Sequence, residues 1–309
     1  MINLKGRDFI SLKEFSREEL KYILELAFEI KKKQKAGVET PILKNKVLAM
    51  IFKKASTRTR IAFEVGMYQL GGTSVFLSPQ ESQIGRGEPI EDTARVLSGF
   101  VDGILIRTFE QKEVDDLAKF AKVPVINGLT DLYHPSQVMA DMMTIIEEKG
   151  KLEGINLTYI GDGNNMAHSL LIGGAIMGMN VTIAAPECYQ VSTEIREIAE
   201  SLKKDKKTLL KYVSCPLEGS KDADVLYTDV WASMGQEEEA ELRKENFAGF
   251  QINEKVLELA KKDAVVMHCL PAYKGQEITG DIFEKFSPVI FSQSENRLHA
   301  HKGILAAII

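Results

Sequence analysis

The chain has 309 residues, of which 44% are hydrophobic and 27% are charged, and its formal net charge is −5. These values are ordinary for a folded globular protein, and they exclude a disordered chain, a collagen-like chain and a small disulfide-stapled domain. The acidic balance also argues against a nucleic-acid-binding protein, which normally carries a basic face.

The cysteines and the apolar stretches of the sequence favour a cytoplasmic protein. Cys188, Cys215 and Cys269 are odd in number and widely spaced, which fits a reducing compartment better than a disulfide framework. The first ten positions already contain Lys5, Arg7 and Asp8, and no apolar h-region of a signal peptide follows them. The longest nearly apolar stretch, 170–186, falls short of the ~20 residues that a membrane span needs. We therefore expect no membrane partner.

Short β-rich runs alternate with segments of helical periodicity, a pattern typical of parallel α/β architecture. The predicted strands cover 47–52, 75–77, 104–107 and 123–126 in the first half, and 157–160, 181–184, 225–228, 265–268 and 289–291 in the second. The sequence therefore predicts the α/β class, with two doubly wound parallel-sheet domains joined by interdomain helices.

The helices of this pattern divide the chain. The first begins with a capping box, Ser16 and Glu19, and continues with the apolar positions Leu20, Ile23, Leu24, Ala27 and Ile30. We expect one domain over 1–136, an interdomain helix over 137–149 and a second domain over 150–293. The last segment, 294–309, is predicted to be a helix whose apolar end packs back on the first domain.

The first candidate site follows the strand 47–52, where Ser56-Thr57-Arg58-Thr59-Arg60 precedes an amphipathic helix. Ser56 stands at an expected N-cap position. Hydroxyl groups, backbone N–H groups and arginines at the positive end of a helix are typical of a phosphate site. The alternative is an ordinary cap followed by surface arginines.

Further polar residues follow the neighbouring predicted strands. Arg107 ends one strand, and His134-Pro135-Ser136-Gln137 comes after the next. The carboxyl ends of parallel strands meet at one sheet edge, so these residues are expected to line a crevice. Arginine and neutral histidine there suit a carbonyl oxygen, and Gln137 suits an amide NH2 group. A lone histidine is more often structural.

Three motifs of the second half follow predicted strands in the same way. Gly161-Asp162-Gly163 resembles the start of a dinucleotide fingerprint, but the third glycine is missing and no acidic residue ends the next strand, so an NAD site is disfavoured. Asn165 is instead available to a polar substrate. Asp229 suits an ammonium group, and the loop after it holds Trp231 and Gly235. Cys269 suits a nucleophile, a metal ligand or a contact residue, although no second cysteine has the spacing of a zinc site.

Taken together, these motifs resemble the carbamoyltransferase family over essentially the whole chain, including the closing Glu295-Asn296-Arg297. The Ser-Thr-Arg-Thr-Arg and His-Pro-x-Gln motifs are shared across the family and indicate carbamoyl phosphate. Asp229, Ser233-Met234-Gly235 and His268-Cys269-Leu270-Pro271 resemble the ornithine branch. The aspartate branch has a proline in place of that cysteine, and the putrescine branch lacks the Ser-Met-Gly loop.

The resemblance implies a role for each matching residue. It implies a phosphate and carbamoyl site made by Ser56, Thr57, Arg58, Thr59, Arg107, His134, Pro135, Ser136, Gln137, Arg297 and the backbone carbonyls of Cys269 and Leu270, with Gln83 reaching in from a neighbouring subunit. It implies an ornithine site made by Asn165, Asp229, Ser233 and Met234. The residues expected to act in catalysis are Thr59, Arg107, His134, Asp229 and Cys269.

The reaction implied is transfer of the carbamoyl group of carbamoyl phosphate to the δ-amine of L-ornithine, giving L-citrulline and phosphate for arginine metabolism. It needs no metal and no redox cofactor. The resemblance also implies a homotrimer with active sites shared between subunits. A carbamoyltransferase for putrescine or a modified ornithine, a nucleotide-dependent oxidoreductase and an inactive scaffolding paralogue are the alternatives.

Overall fold

The computed structural model describes residues 2–78, 87–232 and 237–309. The chain forms two compact units, the first made of Met1–Met143 and Glu295–Ile309 and the second of Thr144–Ser294. Both units contain a parallel β-sheet with helices, so the predicted α/β class is confirmed. Within the described ranges, no helix has the length and apolar character needed to cross a bilayer.

The sheet of the first unit has the strand order β2-β1-β3-β4. Its strands are β1 (Val47–Phe52), β2 (Thr73–Leu77), β3 (Gly103–Arg107) and β4 (Val125–Leu129). The helices beside them are α1 (Arg17–Lys35), α2 (Arg58–Gln69), α3 (Ile90–Leu97) and α4 (Gln111–Phe120). Apolar residues of β1, β3 and α4, such as Ile51, Ile106 and Leu117, form the core between sheet and helix. Because β1 and β3 are buried on both faces, they appear in the sequence as continuous apolar runs.

Helix α1 has the predicted capping box. Ser16 Oγ accepts a hydrogen bond from the Glu19 N–H at 3.2 Å, and the Ser16 N–H donates to Glu19 Oε2 at 2.8 Å. All five residues of the predicted apolar stripe are buried. Part of this surface is covered at Gly303, where an added Cβ would lie 2.7 Å from Ala27 Cβ and 2.8 Å from the Ile23 carbonyl oxygen. This close approach requires glycine.

The sheet of the second unit has the strand order β7-β6-β5-β8-β9. Its strands are β5 (Asn156–Ile160), β6 (Asn180–Ala184), β7 (Leu210–Val213), β8 (Val225–Thr228) and β9 (Val265–His268). Its helices are α6 (Asn165–Met177), α7 (Thr193–Ser201), α8 (Pro216–Gly219), α9 (Ala240–Asn246) and α10 (Glu254–Leu259). Helices α5 (Pro135–Lys149) and α11 (Gly280–Ile308) each begin in one unit and end in the other.

The main differences between the predicted and the observed elements concern α11, β4 and β7. The strand predicted at 289–291 is wrong, because these residues lie inside α11, which begins at Gly280 rather than at 294. Strand β4 begins at Val125 rather than at 123, since Pro124 has no N–H to donate to a ladder, and it extends to Leu129 rather than ending at 126. The edge strand β7 was not predicted.

Candidate active site

Most candidate residues of each unit follow the carboxyl ends of its strands. In the first unit, β1 leads to Ser56, β3 ends at Arg107, and β4 is followed by His134. In the second unit, Asp229 directly follows β8 and Cys269 directly follows β9. Thr228 and His268 are paired in the sheet register, so the residues after them are neighbours. The strand order reverses between β1 and β3 in the first sheet and between β5 and β8 in the second, so Ser56, Arg107 and Asp229 flank the points where open α/β sheets bind ligands. His134 and Cys269 follow the next strand outward in each sheet.

The turn between β1 and α2 differs slightly from the predicted cap. Helix α2 begins at Arg58, and its N-cap is Thr57, whose side chain makes no capping hydrogen bond. Ser56, one position earlier, accepts a hydrogen bond from the Thr59 N–H through Oγ at 3.3 Å. The N-cap position predicted for Ser56 is therefore wrong by one residue. The Ser56 hydroxyl nevertheless binds a backbone N–H of the first turn, the group that attracts anions at a helix N-terminus.

Three arginines of the first unit lie close together, and two of them are buried. Arg107 is 5% exposed and Arg297 is 4% exposed. Burial, together with the positive charges of Arg297 and Arg58, lowers the pKa of Arg107 to about 9. Arg297 donates through Nη2 to Thr59 Oγ1, and Arg107 Nε is buried without a hydrogen-bond partner in the described chain. Such a cluster strongly favours an anion, because an anion would relieve both the repulsion and the desolvation.

His134 lies beside this cluster, immediately before α5. Burial holds the pKa of His134 well below its ordinary value, and the charges of Arg297 and Arg107 lower it in the same direction. The imidazole is therefore neutral at pH 7 and can donate one hydrogen bond without contributing a charge. In the next turn, Gln137 donates through Nε2 to Asp141 Oδ1 at 2.8 Å. That bond leaves Oε1 of Gln137 as the oxygen that can accept from an amide.

Asp229 is the centre of the polar cluster in the second unit. Its carboxylate is buried, and it accepts hydrogen bonds from Cys269 Sγ at 3.0 Å and from Asn164 Nδ2 at 3.4 Å. Asn164 is the N-cap of α6, and its Oδ1 accepts from the backbone N–H of Met166 at 2.9 Å. The same residue therefore begins the helix and orients the carboxylate. The cluster is suited to a cationic ammonium group, since a buried carboxylate favours a positive partner.

A buried tyrosine of β5, Tyr159, also contacts this cluster. The Tyr159 hydroxyl donates to Asn164 Oδ1 at 3.3 Å. Burial raises the pKa of Tyr159 well above its ordinary value, and the charges of Asp229 and Asp162 raise it further. The phenol therefore stays protonated and acts as a hydrogen-bond donor across the neutral pH range.

Two family models match this chain. The carbamoyl-P binding domain model of the aspartate/ornithine carbamoyltransferases matches residues 7–147, and the Asp/Orn binding domain model of the same family matches residues 153–308. The chain belongs to the aspartate/ornithine carbamoyltransferase family. Its first matched domain contains the arginine cluster except for Arg297, and its second contains Asp229 and Cys269.

Individual members of the family resemble this carbamoyltransferase along its whole length. The ornithine carbamoyltransferase of Oceanobacillus iheyensis is 52% identical over 306 residues, which cover 99% of this chain and 95% of the relative. The solved structure of the Pyrococcus furiosus ornithine carbamoyltransferase has a TM-score of 0.95 and 48% identity, covering 100% of this chain and 98% of that one. The anabolic ornithine carbamoyltransferase of Campylobacter jejuni has a TM-score of 0.91 and 43% identity, covering 97% of both chains.

The residues predicted for the carbamoyltransferase site separate into three groups. Thr59, Arg107 and Arg297 form one cluster with His134 in the first unit, and Asp229 with Cys269 forms another in the second. Asn165 is the first residue of α6, directly after the cap that contacts Asp229. The predicted residues Gln83, Ser233 and Met234 lie outside the described residues.

Two polar residues of this carbamoyltransferase were not singled out by the sequence. Asn164 stands directly before a predicted helix, so its capping role had a local signal, but its contact with Asp229 had none. Arg243 of α9 is buried and donates through Nη1 to Asp162 Oδ2 at 2.7 Å and to the Trp231 carbonyl at 2.9 Å. It thereby connects the loop after β5 with the segment that follows Asp229.

The second cluster also has the outline of a metal site. Ligand atoms of Asp229, His268 and Cys269 lie within 4.8 Å of one another. However, His268 Nδ1 accepts the Leu270 N–H at 2.9 Å, and its Nε2 lies 3.0 Å from Glu277 Oε1. Because both ring nitrogens are occupied by hydrogen bonds, His268 does not complete a set of three metal ligands. The geometry suits a hydrogen-bond network.

Proposed function

We infer that this chain transfers the carbamoyl group of carbamoyl phosphate to the δ-amine of L-ornithine, giving L-citrulline and phosphate. The observation that carries this inference is the full-length likeness to ornithine carbamoyltransferases, at 52% identity over 99% of the chain for the Oceanobacillus iheyensis enzyme. The two clusters agree with it chemically, since one suits a phosphorylated carbonyl compound and the other an amino acid.

Carbamoyl phosphate binds to the first domain in this proposal, for which we keep the predicted bounds 1–136 and the return of 294–309. The phosphate lies at the N-terminus of α2 on Ser56, Thr57, Arg58 and Thr59, with Gln83 and Arg297 completing the pocket. The depressed pKa of Arg107 and the donation from Arg297 to Thr59 support an anion at this position. Around the carbamoyl group, the binding residues are Arg107, His134, Pro135, Ser136, Gln137 and the carbonyls of Cys269 and Leu270.

The catalytic step in this proposal is stabilisation of an oxyanion. The unprotonated δ-amine attacks the carbamoyl carbon, the carbonyl oxygen becomes negative, and the C–O bond to phosphate breaks. Arg107 contributes a positive charge, because its pKa of about 9 keeps it protonated at pH 7. Neutral His134 and the Thr59 hydroxyl contribute hydrogen bonds. The departing phosphate accepts the proton that the amine loses, so no further base is needed.

Ornithine binds to the second domain in this proposal, over the predicted range 150–293. Asp229 holds the α-ammonium group, and Asn165, Ser233 and Met234 hold the remaining α-substituents. The hydrogen bonds from Asn164 and Cys269 support this role of Asp229, because they orient its carboxylate before the substrate arrives. The δ-amine then lies near Cys269.

The test is phosphate release from carbamoyl phosphate by the purified protein with L-ornithine, compared with L-aspartate, putrescine and N-acetylornithine. We expect citrulline with ornithine and no comparable rate with the other three acceptors. Turnover of putrescine or N-acetylornithine in place of ornithine would overturn the roles of Asp229, Ser233 and Met234. Silence with all four acceptors would favour an inactive paralogue.

We further propose that the active unit is a homotrimer whose sites are shared between subunits through Gln83. Large apolar side chains on the surface of the first unit support an interface there, since Tyr68 is 80% exposed and Phe100 is 75% exposed. Mixing Gln83→Ala and Arg107→Ala proteins after reversible dissociation tests the sharing. We expect about one site in four to regain both residues and activity. No recovery, with a monomer mass in solution, would overturn the proposal.

The cytoplasm is the proposed location, and citrulline synthesis is the proposed direction. All three cysteines carry free thiols, two of them exposed, which supports a reducing compartment. A relative described as anabolic, the Campylobacter jejuni enzyme, supports a role in arginine biosynthesis.

A further inference from the structure

A buried histidine and a buried glutamate lie beneath the turn that follows β9. The side chains of His268 and Glu277 are both fully buried, and His268 Nε2 lies 3.0 Å from Glu277 Oε1. On the other ring edge, His268 Nδ1 accepts the backbone N–H of Leu270 at 2.9 Å. Because Nδ1 is an acceptor in this geometry, the ring proton is on Nε2 and is donated to Glu277. The tautomer is therefore set by two partners at once.

The same pair holds both sides of the turn. Glu277 Oε1 also accepts the Tyr273 N–H at 2.5 Å, so a single carboxylate oxygen binds the residue after the turn and the histidine before it. The backbone N–H of His268 donates to Gln293 Oε1 at 2.9 Å, and Gln293 Nε2 donates to the Tyr227 hydroxyl at 3.1 Å. The end of β9 is thus connected to β8 and α11 through buried hydrogen bonds.

Leu270 shows why the turn needs this support. Its φ is +60°, a conformation that a leucine rarely adopts because Cβ crowds the backbone. The hydrogen bond from its N–H to His268 holds the residue in this conformation. As a result, the peptide groups of Cys269 and Leu270 are fixed, and the Cys269 thiol is directed toward Asp229 Oδ1 at 3.0 Å.

We propose that His268 is a positioning residue for carbamoyl transfer. Anchored by Glu277, His268 fixes the turn. The fixed turn presents to the substrates the carbonyl oxygens of Cys269 and Leu270, and also Asp229, which accepts a hydrogen bond from the Cys269 thiol. This inference rests on the proposed function, because the two carbonyls matter only if they bind the carbamoyl amide. His268 touches neither substrate in this role and acts through the backbone that it holds.

Two substitutions at one position separate the two contacts of the ring. His268→Asn keeps an acceptor close to the place of Nδ1 and loses the donor to Glu277. His268→Gln keeps a donor close to the place of Nε2 and leaves the Leu270 N–H without its acceptor. We expect kcat/KM for carbamoyl phosphate to fall less than about tenfold in H268N and at least about 100-fold in H268Q, because a shift of about 1 Å in a positioning group has costs of this size.

A buried hydrogen bond elsewhere in the same unit provides the control for lost stability. Thr158 Oγ1 donates to the Gly219 carbonyl at 2.7 Å, away from the turn. Thr158→Val should lower Tm and leave the kcat/KM of the folded protein within about twofold of wild type, since only the positioned turn affects the reaction. Glu277→Leu removes both the anchor of the ring and the acceptor of the Tyr273 N–H, so it releases the turn at a second point and should lower kcat/KM at least about 100-fold, unlike H268N, in which Glu277 still binds Tyr273. It therefore tests the same role if H268Q does not fold.

The decisive measurement is kcat and KM for both substrates in the wild type and these variants, with Tm recorded for each. The proposal expects the ratio of H268N to H268Q to exceed about tenfold in kcat/KM while their Tm values remain similar. Two results would show that His268 is structural and overturn the proposal. One is an equal loss of kcat/KM in H268N and H268Q. The other is a loss of kcat/KM that scales with the fall in Tm across all variants, T158V included. A wild-type protein inactive with ornithine would instead overturn the proposed function, and this inference with it.

Discussion

Arg107 illustrates how one residue can lower the stability of the folded protein and yet favour the reaction. Its guanidinium is buried beside Arg297 and Arg58, and both burial and repulsion lower its pKa. Among the described residues, none accepts a hydrogen bond from Arg107 Nε. The positive charge of the buried arginines can therefore interact directly with a bound anion.

Arg107→Ala should lower turnover by at least about 10²- to 10³-fold, because it removes a donor to the developing oxyanion. The same substitution removes a repelled, desolvated charge, so we expect Tm of the ligand-free protein to stay equal or rise. Steady-state kinetics and thermal unfolding measure both. Arg95→Ala is the control, since Arg95 is exposed and pairs with Asp92 on α3. Near-normal turnover in R107A would refute the assignment.

Asn164→Ser should raise KM for ornithine about three- to tenfold and leave the affinity for phosphate unchanged. Serine can still cap α6, but it lacks the amide donor that orients Asp229 at 3.4 Å. Asn253→Ser is the matched control, because Asn253 caps α10 in the same unit and has no role in the proposed site. If both substitutions change KM equally, the effect comes from helix capping.

For single residues, the sequence identifies those whose role follows from the neighbouring strand or helix better than those whose partners are distant along the chain. Arg107 follows a buried strand and Ser56 precedes a helix, so their positions follow from the pattern of strands and helices. Glu277 and Arg243 lie in segments of ordinary polarity. Their importance comes from contacts 9 and 81 residues away along the chain, which no local pattern encodes.

Among the elements, helix α11 shows where the sequence pattern misleads. Residues 289–291 are β-branched or aromatic and follow Pro288, so they resemble a short buried strand. In the structure Ile290 is buried and Phe291 is exposed, and Phe283, seven residues before Ile290, is buried as well. That spacing is two helical turns. Strand β7 was missed because its four residues include Lys211 and lie at the edge of the sheet.

Gly303→Ala should destabilise the first unit by about 1–3 kcal/mol, the usual cost of overpacking. The new Cβ would lie 2.7 Å from Ala27 Cβ and 2.8 Å from a backbone oxygen of α1, so the two helices would have to separate. Gly280→Ala in the same helix is the control, because no atom lies within 4 Å of a Cβ there. Denaturant unfolding measures the free energy of unfolding of both variants, and equal values would contradict the predicted contact.

For the molecule as a whole, anion binding should be linked to pH through Arg107. The pKa of Arg107 is about 9 in the folded protein and higher in the unfolded chain, so the folded protein releases this proton first as the pH rises. The charged Arg107 therefore lowers the free energy of unfolding by its full amount below pH 9, and this destabilisation is relieved as the pH rises above 9. A bound anion raises the pKa again, so phosphate binds the protonated form.

Saturating inorganic phosphate should consequently raise Tm more at pH 7.5 than at pH 10. At a phosphate concentration of 100 Kd the expected stabilisation at the lower pH is about 2.7 kcal/mol. Thermal unfolding in phosphate and in chloride of matched ionic strength measures the difference. R107A should lose the pH dependence of the shift. An identical shift at both pH values in the unaltered protein would rule out this linkage.

The discontinuous first unit has a consequence for synthesis on the ribosome. Its fold needs Glu295–Ile309, which are translated after the whole of Thr144–Ser294. Until Gly303 reaches Ala27, the surface of α1 at this position remains uncovered in the nascent chain, while Thr144–Ser294 is already complete in sequence. The unit that begins first is therefore finished last. A chain released early by a premature stop would expose apolar surface that a chaperone or a protease can recognise.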